Sequence, residues 1–362
     1  MAVTIERGPG VEDVMRLSII AVAATLLGVA CLRADDSIEV TEVAAEVRCL
    51  GWIVCATISA RGDWDLYLMR PDGSERRTLT QTPDWNETWP QFSRDGSKLL
   101  YRRLKRGEKV SGNDYGRQGA AVVSNSDGRN PMVLGGDGDL AWATWSPDGR
   151  ELATLGLKGI QFVDVETGRV RRTHGRQGFY QQLTWSPDGK WLVGVANNLA
   201  TSWSIARMNA MTGEVNAVNT VDCCTPDWFP DARSVIFSWR PPGQKTNRGQ
   251  GWTQLWKADA VGANPRLVYA MDDRHAYGSC VSPDGKYVIF TGTLQEDGDP
   301  EHGGGPMSVM RLGDSPIIEG ASPGVRALHP DAKNGHILKL PTGWEPCWTI
   351  SEKPAGAGDA RP

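Results

Sequence analysis

A chain of 362 residues, 40% hydrophobic and 23% charged, has the make-up of an ordinary folded protein. That length fits two domains or one large all-β domain, so length alone decides nothing. A formal net charge of −4 lacks the basic excess that marks a nucleic-acid binder, and that class is excluded as an expectation.

The first feature along the chain is the apolar run at 17–32, LSIIAVAATLLGVACL. Met15-Arg16 ahead of it supplies a charged n-region, and Gly28-Val29-Ala30 supplies small residues for signal-peptidase cleavage. Met15 reads as the natural start, because residues 1–14 make a poor n-region. Residues 1–34 are therefore expected to be a signal peptide or an N-terminal anchor, with the protein periplasmic or otherwise extracytoplasmic. Cys31 leaves lipoprotein processing open, although Gly28 stands where a lipobox usually carries Leu. Membrane contact is expected only through this segment. Export permits disulfides among Cys49, Cys55, Cys223, Cys224, Cys280 and Cys347. No spacing among them marks a framework or a zinc site, and most read as small buried apolar residues.

After a short linker expected at 35–50, GWIVCATISARGDWDLYLMRPDGSERRTLT (51–80) reads as three strands that lack a strand before them. A hairpin then recurs: WPQFSRDGSKLLY (89–101), WATWSPDGRELAT (142–154), QLTWSPDGKWLVG (182–194), TPDWFPDARSVIF (225–237) and GSCVSPDGKYVIF (278–290). Each places an apolar strand, a tight Ser-Pro-Asp-Gly-type turn and a second apolar strand in order. A sixth copy, EPCWTIS (345–351), begins and stops. The residue before the turn is Phe92, Trp145, Trp185, Trp228, Val281 and Trp348, a packing layer and not a set of separate sites. Two further strands joined by a Gly-bearing turn follow the hairpins, as in GIQFVDVETGRVRRT (159–173), SWSIARMNAMTGEVNAV (202–218) and TQLWKADAVGANPRLVY (253–269). Four short antiparallel strands repeated radially predict an all-β, six-bladed β-propeller over 51–351. Its first blade is expected to be completed by the C-terminal strand at 345–351 pairing with 52–58, and 352–362 to be a flexible tail.

The units resemble TolB-type propeller repeats. DLYLMRPDGSERRTLT, with Asp65, Leu66, Tyr67 and the Asp72-Gly73 turn, is similar to the blades of that family, as are the recurring WSPDGK hairpins. The resemblance covers about residues 50–351, the propeller alone; the α/β domain that precedes it in TolB is expected to be absent. It implies the fold and leaves function to the site.

Strand order puts the A–B and C–D turns on one end of such a ring and the B–C and D–A loops on the other. The second end carries three long B–C insertions, at 104–117, 240–251 and 294–306, with net charges of +2, +3 and −4. Long loops on one face of a rigid scaffold are where binding resides. The D–A loops are expected to reach the channel mouth with Asp84, Asn86, Glu87, His174, Arg176, Asp222, Arg274, His275, Tyr277 and Glu345. The candidate partner-binding residues are Lys105, Arg106, Lys245, Arg248, Asp297 and Asp299 from the long loops, and Glu87, Arg274, His275 and Tyr277 from the mouth.

No nucleophile elbow is present, and no catalytic residue is assigned. A metal-assisted polysaccharide lyase would need converging His, but only His174 and His275 fall in expected D–A loops, and those loops are not neighbours. EDGDPEHGGG (296–305) has oxygen ligands enough for a structural Ca²⁺ without EF-hand spacing, so no cofactor is expected. The leading expectation is a non-catalytic, monomeric scaffold for a protein partner. A carbohydrate- or cell-wall-binding module, using Trp252, Trp256 and Tyr277 if exposed, is the alternative, and the lyase the third reading.

Overall fold

The computed structural model describes residues 42–108, 110, 119–134, 140, 142–201, 203–241, 253–271, 275–293, 304–319 and 337–355. The apolar run at 17–32 lies outside them. Among the described residues no helix is long and apolar enough to cross a membrane. The architecture is all-β, with small sheets in a propeller arrangement.

Three sheets have four strands each. One contains β4 (Trp85–Phe92), β5 (Lys98–Lys105), β6 (Ala120–Asn125) and β7 (Met132–Leu134). The next contains β8 (Trp142–Trp145), β9 (Glu151–Gly156), β10 (Gly159–Asp164) and β11 (Val170–His174). The third contains β12 (Phe179–Trp185), β13 (Trp191–Ala196), β14 (Ser204–Asn209) and β15 (Val215–Asn219). A five-stranded sheet runs β16 (Cys223–Trp228), β17 (Ser234–Trp239), β18 (Gln254–Asp259), β19 (Arg266–Met271), with β23 (Ile317–Glu319) added in parallel at its outer edge.

The remaining strands form one seven-stranded sheet: β20 (His275–Val281), β21 (Tyr287–Thr293), β22 (Gly305–Arg311), β24 (Ile337–Thr349), β1 (Trp52–Ile58), β2 (Trp64–Met69) and β3 (Arg77–Thr78). Its 13-residue β24 is shared. Residues 337–343 pair with β22, from Met310↔Ile337 to Gly305↔Gly343. Residues 344–349 pair with β1, from Ala56↔Trp344 to Trp52↔Thr349.

Burial grades from strand to strand, and composition follows it. β1 (WIVCATI) and β17 (SVIFSW) are buried on both faces, so they read as continuous apolar runs without alternation. Outer strands such as β11 (VRRTH) are largely exposed. The outer strand β19 is more buried, because β23 covers its edge. Apolar clusters fill the space between neighbouring sheets; one joins Phe229, Ile236 and Leu255 to Val288, Phe290 and Met310.

The recurring turns have a shared mechanism. Ser186 Oγ donates to Asp188 Oδ1 at 2.7 Å and accepts the Trp191 N–H at 2.9 Å. Gly189 closes the turn at φ 76°, the left-handed region glycine enters freely. Ser93, Ser146 and Ser282 repeat the arrangement with Asp95, Asp148 and Asp284.

Two stretches differ from expectation. Within the expected linker at 35–50, α1 (Glu42–Val47) buries Val43, Ala44 and Val47 against Trp348, Leu338 and Leu340. These small apolar residues on one helical face find an apolar surface between sheets, which a solvated linker would not need. The first residues of the expected tail are docked too: Glu352 pairs with Arg70 at 2.9 Å and Lys353 with Asp95 at 3.0 Å.

Candidate functional site

Five of the inner strands share one irregularity that builds the channel, while β8 pairs with β9 in unbroken register. Register slips between Thr88 and Gln91, Gln181 and Thr184, Cys224 and Asp227, Tyr277 and Cys280, and opposite Val54–Ala56 for β24. At each slip one residue is left-handed: Trp89 (φ 53°), Gln182 (54°), Thr225 (47°), Gly278 (59°) and Glu345 (50°). All stand three residues before the apolar layer residue. Four of these are not glycine, a strain of roughly 1–3 kcal/mol each that the surrounding packing must hold. Proline follows at Pro90, Pro226 and Pro346, where a bulge has no use for its missing N–H. A bulge bends the strand and re-aims its side chains. Residues 89–91, 142–143, 182–184, 225–227, 278–280 and 345–347 thereby line one cavity of about 100 Å³. That is room for a few waters or an ion-sized group, well short of the roughly 300–1,000 Å³ of drug-sized ligand pockets.

Hydrogen bonds cross between inner strands at this level. Gln91 Oε1 accepts the Trp145 N–H at 3.0 Å, Asp227 Oδ2 the Val281 N–H at 2.9 Å, and Gln182 Oε1 the Thr225 N–H at 2.8 Å. The Trp145 and Trp228 indoles donate to the Gln91 and Thr184 carbonyls. Trp89 stacks with Trp142 at 4.4 Å between ring centroids, and the Arg102 guanidinium lies 4.2 Å over Trp89.

The throat is acidic. Burial pushes the Glu345 carboxyl well above its ordinary pKa, opposed by the nearby Arg102 charge; both its oxygens are buried and unbonded. Burial also pushes Asp227 up to about 6, opposed by the hydrogen bonds it accepts from the Val281 and Trp228 N–H groups. Ser279 Oγ faces the same wall without a hydrogen bond. Among the described residues, no group of three or more His, Cys, Asp and Glu is placed to hold a metal ion.

Several residues expected at the channel mouth sit elsewhere. Asn86 and Glu87 lie inside β4, His275 and Tyr277 inside β20, and Glu345 inside β24. The inner strands start earlier than the hairpin pattern suggests, so Asn86, Glu87, His275 and Tyr277 face neighbouring sheets, while Glu345 belongs to the throat wall. Glu87 is buried and accepts the Thr82 hydroxyl, while Asp65 carries an unbonded buried oxygen close by. Burial, with the Asp65 charge adding to it, pushes Glu87 up to about 7. His275 is fully buried, accepts the Thr253 N–H on Nδ1 at 3.0 Å and stacks on Tyr277. Burial and the Arg240 charge push it down to about 3, so the ring is neutral. His174 ends the outer strand β11, with Nε2 3.1 Å from the Ala210 carbonyl oxygen, away from the throat.

From the long loops, Lys105 is exposed at the end of β5. Arg106 is a clamp, its guanidinium donating to the Pro83 and Arg61 carbonyls. Lys245, Arg248, Arg274, Asp297, Asp299 and Trp252 lie outside the described residues. Trp256 and Tyr277 are half-buried, and Trp252, the third aromatic of the carbohydrate reading, lies outside the described residues. Asp227, Cys280, Cys347 and the Trp89–Trp142 stack escaped sequence reasoning. The proline two residues before the layer position, in three hairpins, was the signal that could have found this wall.

No family model and no curated protein matches the chain. Among solved structures, TolB from Acinetobacter baumannii aligns over 83% of this chain and 66% of its own at 17% identity, TM-score 0.59. A chain of a nidogen/laminin complex aligns over 82% of this chain and 98% of its own at 8% identity, TM-score 0.55. At such identities the likeness shows the fold: a TolB-like β-propeller, spanning 66% of the length of that TolB chain.

Proposed function

We propose that this chain is an extracytoplasmic, monomeric and non-catalytic propeller that docks a protein partner on the face bearing its long loops. No cofactor or nucleic acid enters this reading. Its ring has six blades, with β24 serving as the outer strand of the last and the inner strand of the first. Three things support that count. The two halves of β24 pair with different sheets. An apolar cluster joins Ile53 and Met69 to Ile289 and Val309, as clusters join the other neighbouring sheets. The Gly73 turn packs beside Leu340, as the Gly128 and Gly262 turns pack beside Leu79 and Val218 of the preceding sheet.

The observation that carries the docking reading is the size of the throat. A cavity of about 100 Å³ cannot enclose a sugar chain, so recognition of a macromolecule falls to the outer face. Strand order expects on that face the basic loops at 104–117 and 240–251 and the acidic loop at 294–306, charges that steer association more than they add affinity. The test is to capture the partner by crosslinking on the exported full chain, then compare charge reversals. K245E/R248E should slow association and flatten its salt dependence, while R150E/K190E on the turn face should change little. The opposite ranking would move the docking site to the turn face.

A further inference from the structure

Cys280 and Cys347 occupy the same repeat position, one residue before Val281 and Trp348, in β20 and β24. Both line the throat. At this position the other strands use oxygen to reach their neighbours, through Gln91 Oε1 to Trp145 and Asp227 Oδ2 to Val281. Here the wall has sulfur twice in succession, and Cys347 Sγ accepts the Phe92 N–H at 3.4 Å.

The two strands are in van der Waals contact. Two residues earlier stand Gly278 and Glu345, and a Cβ on Gly278 would lie 3.6 Å from the Glu345 Cα. Both strands run the same way from that point, so Cys280 and Cys347 arrive side by side. A hydrogen bond between the two thiols, with burial, raises Cys280 well above the ordinary thiol pKa. In the folded protein the thiolate is therefore scarce, and exchange chemistry is slow once β24 has docked.

We propose that Cys280 and Cys347 are a disulfide site, a covalent staple between β20 and the inner half of β24 that forms as that strand docks. The oxidant is a disulfide, small-molecule or protein-borne. The thiolate of one cysteine attacks it and releases one of its sulfurs as a thiol after proton uptake. The second cysteine, deprotonated in turn, attacks the mixed disulfide and releases the other. Two protein thiols and one oxidant disulfide become one protein disulfide and two oxidant thiols. Occurrence of the bond in the cell rests on the extracytoplasmic reading above; the geometry of the site does not.

The test refolds the full chain from denaturant in an oxidising glutathione buffer, traps residual thiols with an alkylating agent and maps the peptides by mass spectrometry. Refolding exposes both thiols, so native burial cannot hide a competent pair. One linked peptide pair joining Cys280 to Cys347 is expected, lost in C280S, C347S and, as a check on folding, C280A. Oxidised wild type should melt at least about 3 °C above the reduced protein, with no reductant-dependent shift in C280A. Full alkylation of both cysteines in refolded, cooperatively melting protein overturns the proposal, as does linkage of either to another cysteine. The same mapping on protein isolated from expressing cells separates the two readings. A pair linked there supports both. A pair that links on refolding but is isolated as free thiols keeps the site and removes the extracytoplasmic reading.

Discussion

Trp145 and Gln91 hold each other by two bonds: the Gln91 side chain accepts the Trp145 backbone N–H at 3.0 Å, and the Trp145 indole donates to the Gln91 carbonyl at 3.1 Å. The pair joins β4 to β8 at the layer just below the throat. Q91A leaves a buried N–H unbonded and is expected to cost about 1–3 kcal/mol in denaturant unfolding. W145F keeps the ring but loses the indole donor, for about 1 kcal/mol. W145A opens a cavity as well, for about 3–5 kcal/mol. Equal destabilisation by W145F and W145A would show that the bond, not the volume, holds this junction.

Trp348 tests the other end of the chain. It is buried, packs among Val47, Tyr287 and Leu340, and donates its indole N–H to the Leu50 carbonyl at 2.7 Å. W348A should cost about 3–5 kcal/mol. A chain ending at residue 343 should lose the β1 ladder besides, and fail to melt as a cooperative native protein. Melting of that truncation at the full-length temperature would refute closure by β24.

The pH dependence of stability has two limbs. Glu87 and Asp227 are raised to about 7 and about 6 in the folded chain, against about 4.3 and 3.9 for unperturbed Glu and Asp. The folded state binds more protons between those values, so the stability these groups contribute is complete near pH 4 and lost as pH rises through 6–7. Asp148, held below the usual carboxylate range by the Ser146 hydroxyl, behaves oppositely: its contribution is lost as pH falls below about 4. A melting profile should peak in mild acid. E87Q should be more stable than wild type at pH 8, by about 1–3 kcal/mol, with the difference gone by about pH 4. An unchanged alkaline limb in E87Q would refute the assignment.

The turn serines offer a test of independence. S146A, S186A and S282A each remove a hydroxyl that donates to a turn aspartate and accepts an N–H. Each should cost about 1 kcal/mol. The turns belong to different sheets, so the triple variant should equal the sum within about 0.5 kcal/mol. A much larger loss would mean that the turn face unfolds as one unit.

The hairpins were legible because three physical signals coincide in each: a β-apolar run, a turn whose Asp and Gly have defined jobs, and a large apolar residue at fixed phase. The pairing of 52–58 with the last strand followed from an unpaired repeat at either end. The throat was not legible. Glu345 looks like a loop residue, because nothing local says that a bulge will carry it inward. Burial there is decided by the neighbouring sheet, a contact dozens of residues away in sequence. α1 was missed for the same reason, since VAAEV is helical only where a surface such as that around Trp348 receives it.

The anchoring of both ends of the described chain bears on presentation. Arg48 pairs with Asp72 at 3.6 Å and Lys353 with Asp95 at 3.0 Å, and both aspartates belong to turns of the same face. Arg48 and Lys353 are therefore anchored on the same face. A linker, fluorophore or surface coupling placed at Arg48 or at Lys353 would attach to one and the same face and leave the opposite end of the sheets free of it. A binding assay immobilised through one of these two positions and repeated through the other should return the same response.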